Sequence, residues 1–140
     1  MNSGMGKKGH IVVTVKDLEK SYSWYSEVLG FLGFKTVYRD EKQIYFGAES
    51  FSMYVAIFQG NKEFDEDTFN RYRIGLHHIA LAVEDKKTVD MFYEFLVEKK
   101  VTVTEMPKHY PEYDDEIYYA VFFNDPNGLR LEVFYEKNQD

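Results

Sequence analysis

The chain contains no cysteine. That absence excludes disulfides, thiolate catalysis and Cys-ligated zinc together, so any metal site must be built from His, Asp or Glu. A basic excess is also lacking. Lys and Arg number 17 against 24 Asp and Glu, a net charge of −7, which disfavours nucleic acid or an anionic membrane as a partner. No apolar run approaches the roughly 20 residues that span a bilayer. The N-terminal stretch carries Lys7 and Lys8 but no apolar segment leading to a cleavage site, so no signal peptide is visible. These absences predict a cytoplasmic protein with neither membrane nor nucleic-acid partners. A length of 140 residues predicts one domain, spanning 1–140, able to bury about two-thirds of its unfolded surface without covalent staples.

Aromatic residues are plentiful: 12 Phe, 12 Tyr and one Trp. Tyrosine has an apolar body and a polar tip, so twelve of them suit either a strand-rich core or a half-wet ligand cleft. The chain also repeats itself. His10-Ile11-Val12-Val13-Thr14-Val15-Lys16-Asp17 matches His78-Ile79-Ala80-Leu81-Ala82-Val83-Glu84-Asp85 at an offset of 68, and Trp24-Tyr25 falls where Phe92-Tyr93 falls. The repeats cover about 9–58 and 76–136, joined by a polar linker over 59–75 with room for a short helix between Asn61 and Arg73.

Each repeat opens as a strand (10–15 and 78–83) and ends it at an Asp fit to cap a following helix. Leu18, Tyr22, Tyr25, Val28 and Leu29 recur at helical spacing, as do Val89, Phe92, Phe95 and Leu96, with Gly30 placed to close the first helix. Three strand-like runs follow in each repeat, 32–39, 43–47 and 51–58, then 101–106, 116–124 and 129–136. Asp125-Pro126-Asn127-Gly128 predicts a turn between the last two. Residues 107–115, with two prolines and no apolar period, predict a long loop. The fold class is therefore α+β: two β-α-β-β-β modules forming a curved mixed sheet around a cleft, with the helices outside.

Side chains alternate along a strand. One face of the two opening strands carries Ile11, Val13, Val15 and Ile79, Leu81, Val83, which the helices can cover. The other face carries His10 and His78, and the closing strands add Glu132 and Tyr54 to it. His77 falls on the opposite face by this parity. A four-residue turn at 125–128 would pair Val121 with Glu132 and bring Tyr119 into the cleft. Arg130 shares the parity of Glu132 and suits an anionic substrate or a rim ion pair. His109, in the loop, is a candidate acid/base group.

The paired modules, the H-I-x-x-x-V-x-D opening of each, and Phe123-Asn124-Asp125-Pro126-Asn127-Gly128-Leu129-Arg130-Leu131-Glu132 resemble the vicinal oxygen chelate superfamily, which includes glyoxalase I, extradiol dioxygenases, fosfomycin-resistance transferases and bleomycin-resistance proteins. The resemblance implies one divalent metal ion (Fe, Mn, Zn, Ni or Co) held by His10, His78 and Glu132, with Glu132 and His109 as catalytic groups and Tyr54, Tyr119 and Arg130 contacting a small-molecule substrate. The family's fourth ligand place falls on Tyr54, or on Ala56 if the alignment slips by two residues. The resemblance further implies a homodimer. Two activities follow: a metal-dependent lyase, isomerase, dioxygenase or thiol transferase acting on vicinal oxygens, or a metal-free protein that sequesters a small molecule.

Overall fold

The computed structural model describes residues 4–112 and 118–137. The chain divides into two compact units, Met1–Asp67 and Thr68–Asp140, so the division falls inside the linker expected from the sequence.

In the first unit, β1 (Gly9–Val15) leads into α1 (Leu18–Phe31), then β2 (Lys35–Arg39), β3 (Gln43–Ala48) and β4 (Phe51–Gln59). The second unit repeats the series as β5 (Ile79–Ala82), α2 (Lys86–Glu98), β6 (Thr102–His109), β7 (Tyr118–Asn124) and β8 (Arg130–Glu136). Each unit holds one four-stranded mixed sheet, in the orders β1-β4-β3-β2 and β5-β8-β7-β6. The first strand of each runs parallel to the last and the other neighbours are antiparallel. The two sheets are copies in topology as the sequence repeat requires, and the α+β class stands. No helix among the described residues is long and apolar enough to cross a membrane.

Both helices start as expected. Asp17 accepts from the Lys20 amide at 3.1 Å and Asp85 from the Thr88 amide at 2.7 Å, each satisfying a donor that the first helical turn leaves unpaired. The first helix runs past Gly30 to Phe31, and Gly33, not Gly30, ends it. Gly33 takes φ +96°, while the Phe34 amide bonds back to the Leu29 carbonyl at 3.0 Å. A left-handed residue after the last turn is where glycine is favoured. Val13, Val15, Tyr25, Val28, Leu29, Ile44, Phe46, Val55 and Ile57 form the buried layer of the first unit, and Leu81, Val89, Phe92, Leu96, Val121, Phe123, Leu131 and Val133 that of the second.

Three local expectations need correction. In the linker only Lys62–Phe64 is helical, as one 3₁₀ turn. The expected loop at 107–115 is shorter, because β6 continues through Pro107 to His109. β6 is an edge strand and its pairing shifts between Glu105 and Lys108, and a proline that cannot donate is tolerated on such an edge or bulge. The remainder of the expected loop includes 113–117, outside the described residues. The β7–β8 connection holds five residues, with Asn124 pairing Arg130.

Candidate functional site

That five-residue turn decides which side chains meet Glu132. Asp125 accepts from the amides of Asn127 and Leu129 at 2.8 Å each, the Asp125 amide donates to the Leu129 carbonyl at 2.9 Å, and Gly128 sits at φ +88°. Leu129 thus belongs to the turn. The register moves by one from the expected pairing, and Glu132 lies opposite Phe122, with Tyr118 opposite Glu136 and Tyr119 opposite Tyr135. Tyr118, Ala120 and Phe122 therefore share the face of Glu132, and Tyr119 is turned to the helix side. There Tyr119 donates to Asp90 of α2 at 2.7 Å. Burial, then the Asp90 carboxylate, push the Tyr119 phenol up to about 12.

Glu132 is 2% exposed. Its carboxylate is satisfied at both oxygens: His78 Nε2 lies 3.0 Å from Oε1, and Tyr118 Oη donates to Oε2 at 2.5 Å. The Nδ1 atoms of His78 and His77 lie 2.7 Å apart, within hydrogen-bond distance. Strand parity assigns His77 to the opposite face, and the structure corrects this. The regular strand begins at Ile79, so alternation does not govern residues 77 and 78, and their rings lie 4.9 Å apart edge to face. Desolvation lowers the pKa of His77 first, and the neighbouring His78, Arg71 and Arg130 add to it.

Arg130 crosses the same face. Its guanidinium stacks on Phe122 at 4.0 Å and pairs with Glu105 at 2.7 Å. Tyr110 donates to the other oxygen of Glu105 at 2.9 Å. The Arg130 bond lowers the Glu105 pKa, and burial followed by the Glu105 bond raises that of Tyr110. The ion-pair reading of Arg130 describes its position in this structure. Tyr110, Ala120 and Phe122 form a buried cluster against which Tyr118 and Phe134 pack. This second-unit surface is thus apolar and aromatic, with two phenol–carboxylate pairs set into it.

His109 closes β6 opposite Tyr119. Its Nε2 accepts from Lys86 Nζ at 3.2 Å and its ring lies 5.0 Å from that of Tyr119. Strand geometry thus turns it toward α2, away from the face of Glu132.

In the first unit, His10 lies on β1 directly beside Tyr54 of β4, and its ring meets Tyr45 edge to face at 5.9 Å. The registers settle which residue matches Glu132 within the repeat. Ala80 pairs with Glu132, and Val12, its repeat partner, pairs with Ala56. Ala56 therefore takes the place of Glu132 in the first unit, and Tyr54 corresponds to Arg130. Neither unit by itself gathers three His, Cys, Asp or Glu side chains around one point among the described residues.

The second unit offers one imidazole and one carboxylate in contact, His78 and Glu132, two of the three protein ligands that a catalytic zinc site keeps. The 3.0 Å between His78 Nε2 and Glu132 Oε1 is an ordinary hydrogen-bond distance.

Tyr118 and His77 are the partners that sequence reasoning missed. Tyr118 differs from the expected Tyr119 by one residue of turn length. The signal available for it was Leu129, whose amide a turn-closing Asp125 can cap.

Residues 7–133 match the profile of the Glyoxalase/Bleomycin resistance protein/Dioxygenase superfamily. The uncharacterized protein YqjT of Bacillus subtilis (strain 168) is 33% identical over 124 residues, 89% of this chain and 94% of that one. A provisionally assigned glyoxalase from Bacillus halodurans superposes with a TM-score of 0.78 at 25% identity, covering 94% of this chain and 97% of its own. Lactoylglutathione lyase from Agrobacterium tumefaciens superposes with a TM-score of 0.67 over 96% of both chains, and at 16% identity that likeness shows the fold alone.

Proposed function

The chain belongs to the Glyoxalase/Bleomycin resistance protein/Dioxygenase superfamily, and from that premise we propose that it is a divalent-metal-dependent enzyme acting on a small substrate with vicinal oxygens. The observation that carries this reading is the buried Glu132 carboxylate with His78 Nε2 3.0 Å from Oε1. In this reading His78 and Glu132, the pair that the second unit holds within hydrogen-bond distance, supply two ligands. When bound, the ion (Fe, Mn, Zn, Ni or Co) acts as a Lewis acid on the two substrate oxygens and stabilises the negative charge that develops on them. Tyr118, Phe122 and Phe134 form the apolar wall beside Glu132. Family membership also supports a homodimer, which light scattering would report as twice the 16.6 kDa chain mass.

The test is metal analysis. Protein purified metal-free and reconstituted with each of the five ions is expected to retain one equivalent of at least one of them. His78→Ala is expected to lose that retention. Wild-type protein that takes up none of the five would overturn the proposal.

Two observations favour a second reading, a metal-free small-molecule binder. Alanine stands at position 56, where the repeat matches Glu132, and both oxygens of Glu132 are already satisfied by protein donors. Binding of a planar aromatic compound, followed through tyrosine and Trp24 fluorescence and unchanged by chelator, is the result that would select it.

A further inference from the structure

We propose that the second unit holds a pocket for the phosphate group of a small molecule, built on Arg71 and Arg130 and independent of any metal. A hollow of about 300 Å³ is lined by Asn70, Arg71, Tyr72, Thr104, Asn124 and Arg130. That volume is at the lower end for small-molecule sites. Both arginines are held in place. The turn that carries Arg71 is closed by the Arg73 amide on the Asn70 carbonyl at 3.2 Å and by the Tyr72 amide on Asn70 Oδ1 at 2.9 Å. The Phe69 amide ties this turn to the β7–β8 connection through the Asn127 carbonyl at 3.4 Å. Arg130 is fixed by its stack on Phe122 and its bond to Glu105.

The charges around the hollow do not cancel. Glu105 faces Arg130 at 2.7 Å and Lys108 at 3.4 Å. The other carboxylate of this face, Glu132, is occupied by His78 and Tyr118. Arg71 is half-buried, and among the described residues no carboxylate pairs with it. A cation is thus left over here in a chain of net charge −7. The neutral groups are set as donors. Asn70 uses its side-chain oxygen on the Tyr72 amide, which leaves its NH₂ group. Thr104 Oγ1 accepts from Arg130 Nη1 at 3.2 Å and Tyr72 Oη from Arg71 Nη2 at 2.6 Å, so each hydroxyl keeps its own proton to donate. Such donors come from the linker turn, β6 and β8 together. A phosphate monoester presents three acceptor oxygens to them, where a carboxylate presents two, and guanidinium groups suit phosphate geometry.

The experiment is calorimetric titration of the full chain, in buffer freed of metal on a chelating resin, with phenyl phosphate and with benzoate. Phenyl phosphate is expected to bind at one equivalent and benzoate more weakly. Arg71→Gln is expected to weaken phenyl phosphate by about ten- to a hundredfold. Arg73→Gln removes a neighbouring charge outside the pocket and is expected to leave binding unchanged. Should Arg71→Gln fail to fold by circular dichroism, Thr104→Val, which removes one hydroxyl donor, is expected to weaken binding in the same direction. A wild-type chain that binds no phenyl phosphate, equal binding of benzoate, an unchanged affinity in folded Arg71→Gln or an equal loss in Arg73→Gln would each overturn the inference. None of these outcomes bears on metal uptake, because every titration is metal-free.

Discussion

Glu132 has two hydrogen-bond donors and almost no contact with solvent, so losing either donor strands a buried acceptor. Tyr118→Phe is expected to lower the unfolding free energy by about 1–3 kcal/mol, read as a fall in the urea midpoint with an unchanged slope. A carboxylate at the surface behaves differently. Asp40 accepts from the Lys42 and Gln43 amides at 2.8 and 3.0 Å and from the Tyr38 hydroxyl at 2.8 Å, closing the β2–β3 turn. The Lys42 amide bond, then the Tyr38 bond, hold its pKa down at about 2 against 3.8 unperturbed. A carboxyl group depressed in the folded state adds stability that is present above its unfolded pKa and lost as pH falls. The Asp40 contribution is therefore complete above about pH 4 and fades toward pH 2. Asp40→Asn is expected to flatten acid unfolding in that window, measured as the difference between the two proteins' midpoints at pH 5 and pH 3. Part of the candidate site was legible: the repeated opening marked His78 and the closing motif marked Glu132, although only Glu132 lies on a regular strand. Tyr118 was not, since its face depends on a hydrogen bond inside the turn that no periodicity reports.

At the scale of elements, the repeat carried most of what the sequence could show. Matching His-Ile-x-x-x-Val-x-Asp openings led to two copies of one β-α-β-β-β unit because the same pattern meets the same capping and burial requirements twice. What stayed hidden came from sheet position. Pro107 reads as a breaker in isolation, yet it lies on an edge strand beside a register shift, where its missing N–H costs little. The five-residue turn before β8 has the largest consequence, because its length sets the face on which Glu132 and Tyr118 meet. Gly128 holds φ +88°, and a Cβ added there would meet nothing closer than Phe69 at 3.9 Å, so the obstacle to a side chain is backbone strain rather than space. Gly128→Ala is expected to cost about 1–3 kcal/mol by chemical denaturation. If the turn relaxes to another length, the Tyr118–Glu132 bond is lost as well, and the Tyr118→Phe substitution then adds little in the Gly128→Ala background.

At the scale of the whole chain, the question is whether two duplicated units behave as one domain, as the length suggests. Each unit is about half of 140 residues, a size at which a lone core buries only about 60% of the unfolded surface and is marginally stable. Small size therefore makes the stability of each half a quantity that an unfolding experiment reads directly. The chain offers a built-in reporter, because Trp24, the sole tryptophan, lies on α1 of the first unit. Its fluorescence follows the first unit, while far-ultraviolet circular dichroism follows both. Phe92 is fully buried in the second unit, and Phe92→Ala is expected to cost about 3–5 kcal/mol. If the chain unfolds as one cooperative domain, that substitution moves the Trp24 transition by the same amount as the circular-dichroism transition, although the lesion lies in the other unit. A Trp24 midpoint that stays at its wild-type value while the dichroism splits into two steps would show two independently folding halves.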